Sequence, residues 1–99
     1  MGCPQLTYLN LSFCGSAVSD ASLRSIGLHL LLLRELSVRG CVRVTGAGVE
    51  GVVDGCNQLQ VLDVSQCKNL TPWLDYGGHL KYSGRVRFDT VARNGKPTR

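Results

Sequence analysis

Ninety-nine residues, of which 43% are hydrophobic, 18% charged and 6% aromatic, make one small domain or a piece of a larger protein and exclude a multi-domain enzyme. The net charge of +4 is confined to one end. Residues 1–74 set five basic side chains against five acidic ones, whereas residues 75–99 carry Lys81, Arg85, Arg87, Arg93, Lys96 and Arg99 against Asp75 and Asp89. Fifteen leucines and eleven valines stand beside a single isoleucine, a bias that a repeating structure imposes, and only Leu80 of those leucines falls after residue 74. Residues 1–74 are therefore read as the body and residues 75–99 as a basic, glycine-containing carboxy-terminal tail or cap.

The first residues, Met1-Gly2-Cys3-Pro4-Gln5, lack the basic and apolar regions of a secretion signal. A short alternating phrase follows and then returns. Leu6-Thr7-Tyr8-Leu9-Asn10-Leu11-Ser12-Phe13-Cys14 recurs 27 residues on as Leu33-Arg34-Glu35-Leu36-Ser37-Val38-Arg39-Gly40-Cys41, and 26 residues further as Leu59-Gln60-Val61-Leu62-Asp63-Val64-Ser65-Gln66-Cys67. Alternation over so few residues predicts three strands, each with one buried face. After the first two cysteines the period changes: Val18-Ser19-Asp20-Ala21-Ser22-Leu23-Arg24-Ser25-Ile26 matches Val44-Thr45-Gly46-Ala47-Gly48-Val49-Glu50-Gly51-Val52, apolar at helical spacing, with Ser19 and Thr45 at N-cap positions. The unit is strand, turn, short helix and return. Between the first helix and the second strand, the apolar run Leu28 to Leu33 is far shorter than the roughly 20 residues of a membrane-spanning helix, and a soluble chain with no membrane partner is expected. The third phrase breaks off at Pro72-Trp73, and the tail offers one further strand candidate, Arg85 to Phe88, with Pro72 to Leu74 and Tyr76 able to shield the last apolar layer.

The phrase C-x-x-L-x-x-L-x-L-x-x-C-x-x-[IV]-[ST]-[DG] resembles the cysteine-containing subtype of leucine-rich repeat familiar from F-box/leucine-rich-repeat proteins. Cys3, Leu6, Leu9, Leu11, Cys14, Val18, Ser19 and Asp20 carry it best, with one residue inserted between Cys14 and Val18; the second copy has Leu30 for the first cysteine and Gly46 for the aspartate. The resemblance covers about three quarters of the chain. It implies an α/β fold, a right-handed solenoid of about three repeats with parallel strands on the concave face and short helices on the convex face. It also implies that the leucines and cysteines form buried columns, and that a complete protein has further repeats or another domain before Met1.

Several motifs invite chemical readings. Five cysteines without a C-x-x-C pair, and His29 and His79 away from ligand spacing, give no metal site; the repeat columns account for the thiols, which points to a reducing, intracellular compartment, cytoplasmic or nuclear. Gly46-Ala47-Gly48-Val49-Glu50-Gly51 is formally G-x-G-x-x-G between a strand and a helix, but no acidic residue stands at the distance a ribose needs, since Asp63 comes too early. No cofactor is expected, and the glycines are read as letting the short helix lie close on the sheet. No nucleophile, base and orienting group can be assembled, so catalytic residues are not expected. Without a signal peptide, the sequons at Asn10 and Asn69 are read as ordinary polar positions. Six basic residues in the tail without a nucleic-acid-binding fold are a solvated terminus rather than a nucleic-acid footprint.

What remains is surface. With the leucines inward, the concave face receives Tyr8, Asn10, Ser12 and Phe13 from the first strand, Glu35, Ser37 and Arg39 from the second, and Val61, Asp63 and Ser65 from the third. Exposed aromatics beside an arginine suit a protein contact, although these residues could equally be solvated or Phe13 turned inward. The resemblance implies a substrate-recognition part of an SCF-type E3 ubiquitin ligase. The repeats would hold the ubiquitylation substrate, and Skp1 and cullin would be reached only through an F-box that these residues do not contain. The alternative from another class is a non-enzymatic scaffold, as in similar repeats of axonemal or DNA-repair complexes.

Overall fold

A computed structural model describes residues 5–90. Its frame is a four-stranded parallel sheet in the order β1 (Tyr8–Asn10), β2 (Glu35–Ser37), β3 (Val61–Asp63) and β4 (Arg87–Asp89). The register aligns Tyr8, Glu35, Val61 and Arg87 in one row, Leu9, Leu36, Leu62 and Phe88 in the next, and Asn10, Ser37, Asp63 and Asp89 in the third. Each strand has only three residues, but pairing runs on past it: Leu11 N–H donates to Ser37 O at 2.8 Å and Phe13 N–H to Arg39 O at 2.6 Å, and Val38 and Gly40 repeat both bonds on Asp63 O and Ser65 O at 2.9 Å. The chain reaches each next strand through a crossover. Between β1 and β2 stands α1 (Asp20–His29), between β2 and β3 α2 (Gly46–Gly55), and between β3 and β4 a short α3 (Thr71–Asp75) followed by a 3₁₀ segment, Gly78–Tyr82.

Leu36 and Leu62 from the strands, Leu23 and Ile26 from α1, and Val49, Val52 and Val53 from α2 belong to one buried cluster, so the middle row faces the helices. By strand alternation the two flanking rows face away from them. The buried leucine columns expected from the phrase hold in the second and third copies. In the first they do not, because Leu6, Leu9 and Leu11 have no strand beyond β1 in the described residues and are only partly covered. The third helical stretch breaks where Pro72 enters the first turn of α3. Trp73 and Leu74 pack against the core as expected, whereas Tyr76 is 91% exposed and shields nothing.

Ser19 and Thr45 do occupy the N-cap positions, but the cap chemistry differs between them. Ser19 N–H donates to Ser22 Oγ at 3.1 Å. The hydroxyl of Thr45 instead donates to Asp20 Oδ2, and its N–H to Asp20 Oδ1 at 2.8 Å, so the first residue of α1 caps α2 across the unit boundary. An anionic group suits that helix start. A Cβ on Gly48 would overlap the Asp20 carboxylate, on Gly46 the Trp73 ring, and on Gly27 it would come within 2.6 Å of the Gly51 carbonyl oxygen. The glycines of the G-x-G-x-x-G motif thus admit the neighbouring helix, its cap and an indole, not the sheet. No helix of the described residues is long and apolar enough to cross a membrane.

Candidate binding surface

Of the residues read from the sequence as a contact surface, Tyr8, Glu35, Val61, Asn10, Ser37 and Asp63 lie in the two rows facing away from the helices and Ser12, Phe13, Arg39 and Ser65 just past the strand ends, and together they divide into two kinds. Asn10, Ser37 and Asp63 close each strand in the same way, their side-chain oxygens accepting the N–H two residues on: Ser12 at 2.9 Å, Arg39 at 3.4 Å and Ser65 at 2.9 Å. Such side-chain-to-backbone turns fix the chain's direction after a strand. Ser12 and Ser37 share a hydroxyl contact of 2.7 Å. The expectation of an exposed Ser65 is corrected: it is 2% exposed, its hydroxyl donates to Asp63 Oδ1 with Asp89 O also within 3.3 Å, and β4, to which Asp89 belongs, covers it from the carboxy-terminal side. Val61 and Asp63 are partly buried.

The second kind stays open. Tyr8 is 56% and Phe13 64% exposed, which settles Phe13 outward. Glu35 is exposed and Arg39 half-buried. The residue before the closing cysteine of each phrase, Cys14, Cys41 and Cys67, adopts a left-handed backbone: φ is +58° at Phe13, +73° at Gly40 and +59° at Gln66. Glycine tolerates this freely, but an L-residue pays on the order of 1–2 kcal/mol. The Phe13 ring lies over Gly40, where a Cβ would overlap it, and the Arg39 guanidinium carbon is 5.8 Å from the ring centroid.

The thiols behave as hydrogen-bond donors between units. Cys41 Sγ donates to Leu11 O at 3.1 Å, Cys67 Sγ to Val38 O at 3.0 Å and Cys56 Sγ to Leu30 O at 3.2 Å. Burial pushes all three pKa values up, that of Cys67 to about 11. Cys14 departs from the buried column and is exposed, no strand preceding β1 among the described residues, and Cys3 lies outside them. Cys14 is therefore expected to react with a thiol reagent at pH 8 while Cys41, Cys56 and Cys67 react only on unfolding, which timed labelling and mass spectrometry would read. Because the raised pKa of Cys67 favours its neutral form in the folded state, its contribution is whole below about pH 9 and is lost as pH climbs toward about 11. Tyr82, held up to about 12 by burial and by its bond to Asp54, acts in the same direction at still higher pH. Denaturant melts from pH 8 to 11 should show stability falling above pH 9, less steeply in Cys67→Ala.

Behind the sheet, side chains of the residues after β3 fasten onto α2. Trp73 Nε1 donates to Glu50 Oε2 at 2.9 Å, and Lys81 stands 3.3 Å from the same oxygen; the indole bond first, then the lysine, holds the Glu50 carboxyl below its ordinary range. Arg85 donates to Val53 O at 2.9 Å and Cys56 O at 3.3 Å, closing the carboxy-terminal end of α2. A cavity of about 430 Å³ lined by Thr71, Leu74, Asp75, Gly77, His79, Leu80 and Thr90 lies in this part of the fold and shares no residue with the open face. His29 ends α1, its Nδ1 2.9 Å from Ser25 O. Of the sequon asparagines, Asn10 closes β1 and Asn69 donates to Val42 O of the preceding unit.

Residues 2–27 match the leucine-rich repeat family model. That match covers the first strand and most of α1, and with the parallel sheet and its crossover helices it fits an α/β fold of leucine-rich-repeat type. Leucine-rich-repeat domains generally mediate protein–protein interaction and are generally non-enzymatic. Comparison with solved structures finds no match.

Proposed function

We propose that this chain is the protein-recognition part of a cysteine-containing leucine-rich-repeat protein, a right-handed solenoid of about three repeats whose concave face holds a protein partner, with residues 75–99 as its basic tail or cap. The observation that carries the reading is the exposed pair Tyr8 and Glu35, in register on the sheet face turned away from the helices, with exposed Phe13 and half-buried Arg39 just beyond the ends of β1 and β2. Aromatic and arginine side chains on a rigid, parallel-stranded face are what protein interfaces favour. Within that reading, the spacing of Cys14, Cys41 and Cys67 supports the F-box/leucine-rich-repeat type. The face would then hold a ubiquitylation substrate in the cytoplasm or nucleus, while Skp1 and cullin join through an F-box outside these residues.

Affinity purification of the complete gene product, beside a Tyr8→Ala/Glu35→Arg variant, tests this. Skp1 and cullin recovered from both forms, with other partners lost from the variant, is the expected result. Partners that do not respond to the variant would overturn the face. A stable structural complex without Skp1 would replace the ligase role with a scaffold.

A further inference from the structure

Three features meet where the first two units touch. Phe13 holds a left-handed backbone that glycine holds in the next unit, yet its ring is exposed and gains no core burial for that strain. Gly40 lacks the Cβ that would strike the ring, so the ring has a seat in the neighbouring unit. Arg39, the residue before that glycine, brings its guanidinium over the ring.

The guanidinium is unanswered. Of the two arginines at named positions on this face, Arg87 is paired with Asp89 at 3.2 Å, whereas Arg39 meets no carboxylate among the described residues, and its Nε–H is shielded from water without an acceptor. The nearby carboxylates are otherwise placed: Asp63 already takes the N–H and hydroxyl of Ser65, and Glu35, four residues earlier at the start of β2, makes no ion pair with Arg39. A planar fork 5.8 Å from an aromatic ring centroid, with no carboxylate paired to it among the described residues, matches a carboxylate in shape and sign. The aromatic beneath it offers an apolar surface to the neighbouring side chain.

We propose that Phe13 and Arg39 form a carboxylate-binding platform that takes a glutamate or aspartate side chain of a partner protein, with an adjacent apolar residue laid on Phe13. This rests on the reading of the open face as protein-binding and names its anchor. The test follows the Arg39 Nε–H and Gly40 amide signals of the ¹⁵N-labelled 99-residue chain during titration with Ac-Glu-Leu-NH₂, its Gln counterpart and inorganic phosphate. Saturable shifts with the Glu peptide, about tenfold weaker with the Gln peptide and weakened by salt, are expected. Arg39→Gln should abolish them. Phe13→Gly, which relieves the left-handed strain and so folds at least as well, should weaken them several-fold. Equal response to both peptides, response to phosphate alone, or no response would overturn the platform. If Tyr8→Ala/Glu35→Arg still sheds partners while Arg39 stays silent, the protein-binding face stands and only this anchor falls.

Discussion

Leu62→Ala is expected to lower the unfolding free energy by about 3 kcal/mol, and Leu9→Ala by only about 1 kcal/mol, although the two leucines hold the same place in the phrase. Leu62 is fully buried between β2 and β4, and truncating it leaves a void that its neighbours cannot close. Leu9 sits in the same row but on the edge strand, partly in water already, so less contact and less transfer free energy are lost. In a domain of this size each kcal/mol moves the melting temperature by roughly 4–8 °C, so the two variants should separate clearly in thermal melts. Equal losses would mean that β1 is covered as completely as β3.

Gly55→Ala should cost about 2–3 kcal/mol, the reverse of the usual gain when alanine replaces glycine in a helix. Its Cβ would overlap the Gly27 carbonyl group, and a backbone oxygen has no rotamer by which to yield, so α1 and α2 must part. Gly51→Ala is the control. There the new carbon would meet Arg24 Cγ at 3.0 Å, part of a flexible exposed chain, and the outcome should lie within about 0.5 kcal/mol of neutral. Denaturant unfolding of both variants reads the difference. Comparable losses at the two positions would show that helix separation is not what these glycines control.

The three strands and two long helices were legible because their apolar residues are spaced for them: Leu9 and Leu36 alternate with polar neighbours, Leu62 repeats their place in the phrase, and Leu23 with Ile26, or Val49 with Val52, recur at helical distance. β4 was only half legible. Its candidate, Arg85 to Phe88, lies close to the observed Arg87–Asp89, but Phe88 replaces the leucine of the phrase and the chain arrives through three short helical pieces, Lys68–Leu70, Thr71–Asp75 and Gly78–Tyr82, rather than one long helix. Asn10, Ser37, Arg39 and Asp63 were found as a face, whereas the division between turn-closing and open side chains was not, since alternation reports direction and not hydrogen bonding. The burial of Ser65 depends on Asp89, a residue 24 positions away. The left-handed position is announced by Gly40 alone; nothing in Phe13 or Gln66 as residue types signals it. Glycines at positions 48, 51 and 55 line one helical face, a cue to close helix contact, but the sequence does not say which neighbour that face meets.

The side-chain bonds that join one unit to the next span similar stretches of chain, from 23 residues between Trp73 and Glu50 to 32 between Arg85 and Val53, with Arg43 to Ser16, Asn69 to Val42, Cys41 to Leu11 and Cys67 to Val38 at 27 to 30. Among the described residues, each strand pairs only with its neighbours in the sequence of strands. Loop closure therefore costs about the same at every step, and a folding nucleus needs only two adjacent units, for which β2, α2 and β3 are best placed because both sides are covered. Growth from that nucleus is a one-dimensional process, so amide exchange is expected to be slowest at Leu36 and Leu62 and fastest in β1, and lengthening such a chain would add stability without lengthening the search that starts its folding.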